Sequence, residues 1–382
     1  MHEKKSYSFF TIFSLGLILM FGFSRCSSEV DLNAPYQSIP IIFGLLDAEV
    51  DTQWVRINRT WLGEGDQNIF ALIQDSSEYE NSRVKAQFVE VYANGQEVVG
   101  TPPFILKDTL LENKDESGIF FAPEYKAYYA VTSGANSLNT ENEYKFELVL
   151  DDTTEVEAQT NLISPVIGNI TQPPMGVSNI QMGFASVGSI NVTYPNYTFK
   201  WSSTPGAARY DAVLLVHYLE HYWANDNLTE LDSSRVKTME IPIGSASPSD
   251  DEGGEILSKV FSGLTFYTNF SSRLEKNPRI TRELGYWDEE DQIARAFDFV
   301  LMVANNDLAT FLEINTPVTN IIQERPEYTN INGGLGLWGA RTIEGVYGLG
   351  YSTDTIEHLQ EGDETAELNF CTPNPFSDYY CQ

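Results

Sequence analysis

Cysteine, histidine and basic side chains are all scarce in this chain of 382 residues. Three cysteines are too few for a disulfide-dense scaffold or a multi-cysteine zinc cluster. Lys and Arg number 23 against 54 Asp and Glu, leaving a net charge of −31. A surface of that sign repels phosphate backbones and excludes nucleic acid as a partner. A G-x-S-x-G serine elbow is absent, and no catalytic carboxylate pair stands out among so many acids. Long apolar runs are missing too, save one at the start.

That run, FFTIFSLGLILMFGF from Phe9 to Phe23, follows a polar, basic opening (His2, Glu3, Lys4, Lys5). Its length and flanks fit an export signal rather than a membrane span. Cys26 follows directly, and a cysteine closing an apolar signal resembles the lipobox of bacterial lipoproteins, although Arg25 stands where that pattern has a small residue. Residues 1–25 are therefore expected to be a lipoprotein signal peptide and Cys26 the lipidation site, with residues 26–39 as a tether. An ordinary signal peptide before an unmodified cysteine is the alternative. The acidic CSSEVD also resembles the signal that sends Bacteroidota lipoproteins to the cell surface.

From Pro40 the pattern becomes β. IPIIFGLLDA, TQWVRINRTWL, VKAQFVEVYANGQEVV, KAYYAVTS and EYKFELVLDD are short β-branched or aromatic runs bounded by turns. Tyr144, Phe146, Leu148 and Leu150 alternate with more polar neighbours, and Asn94-Gly95 supplies a hairpin turn. These features predict an immunoglobulin-like sandwich over 40–163, ending at the Pro-rich ISPVIGNITQPPMG. A fibronectin type III-like β domain is expected over 164–382, with Trp201 and Tyr210 in its core. Within it, Ile256, Leu257, Val260, Phe261, Leu264, Tyr267 and Leu274 fall near helical spacing behind an acidic start. They predict a helical insertion near 254–290, followed by Gly-rich C-terminal strands. The fold class is thus mainly β, as tandem sandwiches.

HYLEH, residues 217 to 221, matches the H-x-x-E-H zinc-protease signature. Two histidines grip one zinc only from a helix, where i and i+4 lie a turn apart. YDAVLLVHYLEHYW reads instead as a strand, which sets His217 and His221 roughly 13 Å apart, against zinc–nitrogen bonds of about 2 Å. A metallohydrolase is therefore the weakest reading, and no catalytic residue, metal or cofactor is assigned. GLGLWG (Gly334 to Gly339) fits G-x-G-x-x-G without the strand–helix context of a dinucleotide site, so its glycines are expected to serve turns or close packing. The acidic runs Asp250-Asp251-Glu252 and Asp288-Glu289-Glu290-Asp291 lack calcium-loop spacing. Cys371 and Cys381 bracket CTPNPFSDYYC and favour a local disulfide over a zinc site. Aromatics at 13% fit sandwich cores, with a glycan-binding platform as the other reading.

The lipobox, the two sandwich regions and the late NINGGLGLWG (Asn330 to Gly339) together resemble surface lipoproteins of the Bacteroidota found beside SusC-like TonB-dependent transporters. That resemblance covers nearly all of the mature chain. It implies a non-enzymatic, lipid-anchored outer-membrane protein, exposed at the cell surface. Its partner would be an outer-membrane β-barrel, either a SusC-like transporter or an assembly complex. A glycan-binding or adhesin-like protein is the second expectation. Bacteroidota also O-glycosylate D-[ST]-[AILMVT] motifs, which nominates Thr109, Thr153 and Thr355.

Overall fold

A computed structural model describes residues 38–62, 66–112, 114–165, 169–288, 293–316 and 327–381. The N-terminal part holds β1 (Pro40–Leu46), β2 (Thr52–Arg59), two one-turn helices α1 (Gln67–Ala71) and α2 (Gln74–Ser77), β3 (Val84–Val91), β4 (Phe104–Ile105), β5 (Lys107–Leu111), β6 (Tyr125–Val131), β7 (Glu143–Leu150) and β8 (Thr154–Asn161). The middle holds β9 (Ile170–Gln172), β10 (Gln181–Met182), β11 (Ser186–Val187), β12 (Val192–Thr193), β13 (Asn196–Ser202), β14 (Arg209–Trp223), β15 (Leu231–Ala246), β16 (Ile256–Ser262) and α3 (Gly263–Arg273). The last part holds β17 (Ile280–Leu284), β18 (Tyr286–Asp288), β19 (Ile293–Arg295), β20 (Phe297–Ala304), α4 (Asn306–Asn315), β21 (Leu335–Tyr351), α5 (Thr353–Glu361) and β22 (Phe370–Cys371).

The chain is mainly β, as its alternating pattern predicts. In β7, Tyr144, Phe146, Leu148 and Leu150 are all buried while their neighbours are half-buried. A four-stranded sheet, β4-β3-β7-β8, faces β1, β2 and β6 across an apolar core that includes Ile57, Phe88, Tyr128 and Phe146. Further along, the three-stranded sheet β16-β13-β9 faces β14 and β20. There Phe199 stacks on Phe299 at 4.5 Å, and Trp201 meets Tyr210 at 5.9 Å. Both of those expected core aromatics, Trp201 and Tyr210, are fully buried.

One large sheet runs through both regions in the order β22-β17-β14-β20-β21-β1-β2-β6-β5, with β15 beside β14. The join is β21. Leu335 to Ala340 pair in parallel with Ile41 to Leu46, and Arg341 to Leu349 pair antiparallel with β20. The expected tandem sandwiches therefore share a sheet, an arrangement invisible to local patterns because the paired segments lie some three hundred residues apart. Trp338 shows the depth of the join. It is fully buried, lies against Phe146 and Phe88 at 5.1 and 5.7 Å, and donates from Nε1 to the Tyr144 carbonyl at 2.9 Å. Asn330 clamps the same residue, accepting from its N–H at 2.9 Å and donating to its carbonyl at 2.6 Å. Two glycines make room. A Cβ on Gly44 would lie 2.5 Å from the Trp338 ring, and one on Gly336, at φ +113°, would overlap the Ile42 carbonyl.

One element differs from expectation. The helix predicted near 254–290 begins only at Gly263, since Ile256 to Ser262 form β16 and pair with β13. Leu257 and Phe261 are buried four residues apart, a spacing that shares a face on a strand as well as on a helix. Of the other residues read at helical spacing, Tyr267 is buried on the helix, while Ile256, Val260 and Leu264 are exposed.

Trp338→Ala should lower stability by about 3–5 kcal/mol, and Gly336→Ala should be destabilising through steric overlap alone. Chemical denaturation of each variant checks this; wild-type stability in either one would remove β21 from its structural role.

Candidate functional site

The histidines of HYLEH lie on β14, which pairs with β15 on one side and with β20 and then β17 on the other. Tyr210, Ala212, Leu214, Val216, Tyr218 and Glu220 are buried on one face. His217 and His221 belong to the alternate face, where each imidazole spans a hydroxyl and a carboxylate. His217 Nδ1 meets Thr238 Oγ1 and its Nε2 meets Asp298 Oδ2, both at 2.9 Å. His221 repeats the motif with Ser234 Oγ at 2.8 Å and Glu283 Oε2 at 3.3 Å. Thr238 and Ser234 are the direct cross-strand partners of the two histidines, so the strand register itself produces both strings.

Asp298 is further committed. Its Oδ1 accepts from the Gly348 N–H at 2.8 Å, and Arg295 approaches Oδ2 at 3.4 Å. Glu220, the acid of the zinc-protease signature, belongs to the other face of β14. Its Oε1 accepts from Arg282 Nε at 2.9 Å, and Oε2 accepts from Tyr222 at 2.6 Å. Arg282 is 1% exposed and also donates to the Leu368 and Glu275 carbonyls. The strand thus separates the acid from the histidines, and the two imidazoles lie too far apart for one ion. Among the described residues no group of three or more His, Cys, Asp or Glu side chains is placed to hold a metal. His358 on α5 lies apart from this face. Its Nε2 meets the Tyr194 hydroxyl at 3.0 Å, and burial pushes its pKa down.

Beyond His221 the face opens into a cleft of about 390 Å³. Cys371 and Cys381 form a disulfide whose loop makes one wall. That wall carries Asp378 and Tyr380, and Trp223, Leu231 and Gln360 lie on the other sides; Trp223 is held by its Nε1 donating to Thr281 Oγ1 at 2.9 Å. A second, more polar cleft of about 670 Å³ lies at the start of α4, lined by Thr160, Asn161, Ser249, Asp250, Asp251 and Asp307. Asp307 is already engaged there by Thr160 at 2.8 Å and by Tyr328 at 2.9 Å, and with burial this contact pushes the Tyr328 phenol up to about 12.

The other sites read from the sequence are scattered. Cys26 and the acids 289–291 lie outside the described residues. Thr153 is exposed in the β7–β8 turn, and Thr109 is half-buried on β5 opposite Ala127. Thr355 must be withdrawn as a glycosylation site. It is fully buried, and its Oγ1 accepts from the Phe184 N–H at 3.0 Å and meets Ser352 Oγ at 2.9 Å, which leaves no path for a glycan. GLGLWG continues into strand β21 rather than a helix. Asp298, Thr238, Ser234 and Glu283 were missed because cross-strand partners carry no local signal; only the alternation of β14 hinted at them.

No protein-family model matches the chain, and no curated protein matches it. Among solved structures, the C-terminal globular domain of an oligosaccharyltransferase from Pyrococcus abyssi aligns with 64% of this chain and 44% of its own. Identity is 10% and the TM-score 0.23, so the match carries no argument about fold or function.

Replacing His217 by alanine should cost about 1–3 kcal/mol, because Asp298 loses a buried partner, and purified protein should carry no stoichiometric zinc. Thermal denaturation and elemental analysis check both. One zinc per chain, lost in the variant, would reinstate a metal site.

Proposed function

We propose that this protein is a lipid-anchored accessory subunit of the outer membrane that binds a β-barrel partner and performs no catalysis. The observation that carries this reading is Cys26. It closes an apolar export segment and stands thirteen residues before Ile39, which hydrogen-bonds Thr60 beside the first strand. A lipid at that cysteine leaves a short leash on a large folded body.

Two further features support it. The chemistry-bearing residues of β14 are spent on one another: the histidines on hydroxyls and carboxylates, Glu220 on Arg282. A net charge of −31 suits a body that stays soluble at high surface density, held by acyl chains rather than basic residues. The partner is read as a SusC-like TonB-dependent transporter, facing the cell exterior with this subunit beside it.

Crosslinking in native membranes followed by affinity purification should recover an outer-membrane β-barrel, and Cys26→Ala should move the protein to the soluble fraction. Recovery of the protein alone would remove the partner. A Cys26→Ala variant that stays with membranes would remove the anchor.

A further inference from the structure

β15 pairs with β14 along one flank, and among the described residues no strand lies on the other. Which of its main-chain groups face outward follows from β14. The His217 and Trp223 N–H groups donate to the Ala296 and Arg279 carbonyls at 2.8 and 2.9 Å, on the flank of β14 away from β15. Odd-numbered residues of β14 therefore turn their main chain from β15, and Val216, Tyr218 and Glu220 turn theirs towards it. Their partners are Met239, Lys237 and Arg235. A hydrogen-bonded antiparallel pair exchanges both bonds, so the intervening Ser234, Val236 and Thr238 point N–H and C=O away from the sheet.

The two halves of this edge differ. Past Thr238 the Glu240 carbonyl accepts from Arg273 at 2.7 Å, and Pro242, at the same outward parity, has no N–H to offer. Features of that kind blunt an edge against pairing. From Ser234 to Thr238 neither is present, and among the described residues no hydrogen bond reaches these three N–H and three C=O groups. All three residues are exposed. Their backbone is nevertheless fixed, by the ladder to β14 and by the Ser234 and Thr238 hydroxyls bonded to His221 and His217. A fixed row of alternating donors and acceptors matches one kind of ligand, a second extended chain.

Charge selects which chain. Arg235 and Lys237 flank Val236, and among the described residues neither forms an ion pair, in a chain with 54 acids against 23 bases. Arg235 lies 5.2 Å over the Tyr222 ring, and Glu220, opposite it in the register, is taken by Arg282. Residues of an added strand opposite these two cations stand at the closely spaced positions of the ladder, where carboxylates are favoured. The residues between lie beside Val236, which is 59% exposed, and a β-branched side chain packs there. A second copy of this edge fits less well: paired about Val236, it would set Arg235 against Lys237 twice. We infer that Ser234 to Thr238 is a strand-addition site for an extended partner segment in which acidic and β-branched residues alternate. The inference is independent of the reading of Cys26.

The probe is a blocked nine-residue peptide of alternating glutamate and valine, added to the purified protein and followed by residue-resolved amide exchange. The Ser234, Val236 and Thr238 amides should exchange freely in the protein alone and slow about tenfold or more at millimolar peptide. Arg235 and Lys237, already bonded to β14, should stay as they are. Val236→Pro should keep the melting temperature, since Pro242 shows that an outward N–H is dispensable on this edge, and should weaken binding about tenfold or more. The same peptide N-methylated on its valines, whose N–H groups face the edge, should also lose binding, a loss that no folding defect can mimic. Reversing both charges, Arg235→Glu with Lys237→Glu, should transfer the preference to a lysine–valine peptide. Three outcomes would overturn the inference: none of the three amides slows, the N-methylated peptide binds as well, or the wild-type protein takes the lysine–valine peptide equally.

Discussion

Trp338 sits in the core of the N-terminal sandwich although it belongs to one of the last strands. Its indole fills the space between Phe88 and Phe146 and bonds to the β7 backbone, while its own backbone is clamped by Asn330. Burying a tryptophan this completely contributes several kcal/mol, and the neighbouring strand must approach closely enough that Gly44 tolerates no Cβ. Much else follows. β21 must pair with β1, the two sandwiches must share a sheet, and the N-terminal sandwich has its full core only once the C-terminal segment has arrived.

The legibility of the fold tracks how local each signal is. Strands such as β7 announce themselves by alternation, and Trp201 and Tyr210 by their place in a strand pair. The β1–β21 pairing has no such signature, since parallel pairing across most of the chain leaves no mark in any short window. The four-residue spacing was treacherous in both directions. At Leu257 and Phe261 it suggested a helix where the chain forms a strand. At His217 and His221 the Val, Tyr and Trp content pointed to a strand, and β14 is one. Residue composition resolved what spacing alone left ambiguous.

The candidate site shows the same limit. The sequence presents HYLEH as one constellation, but β geometry sends its acid and its histidines to opposite faces. Glu220 neutralises a buried Arg282, and each histidine ties three strands together through a hydroxyl and a carboxylate. Thr355 failed for a related reason: a permissive motif says nothing of burial, and Thr355, in the first turn of α5, is fully buried. What the sequence offers about function is concentrated ahead of the first strand, in Cys26 and the apolar run before it.

The central structural claim is that residues 39–382 are one body, joined through β21 and sharing one core. Calorimetric unfolding of the disulfide-intact protein tests it most directly. A single transition with equal calorimetric and van't Hoff enthalpies is expected. Two resolved transitions, one for each sandwich, would contradict it.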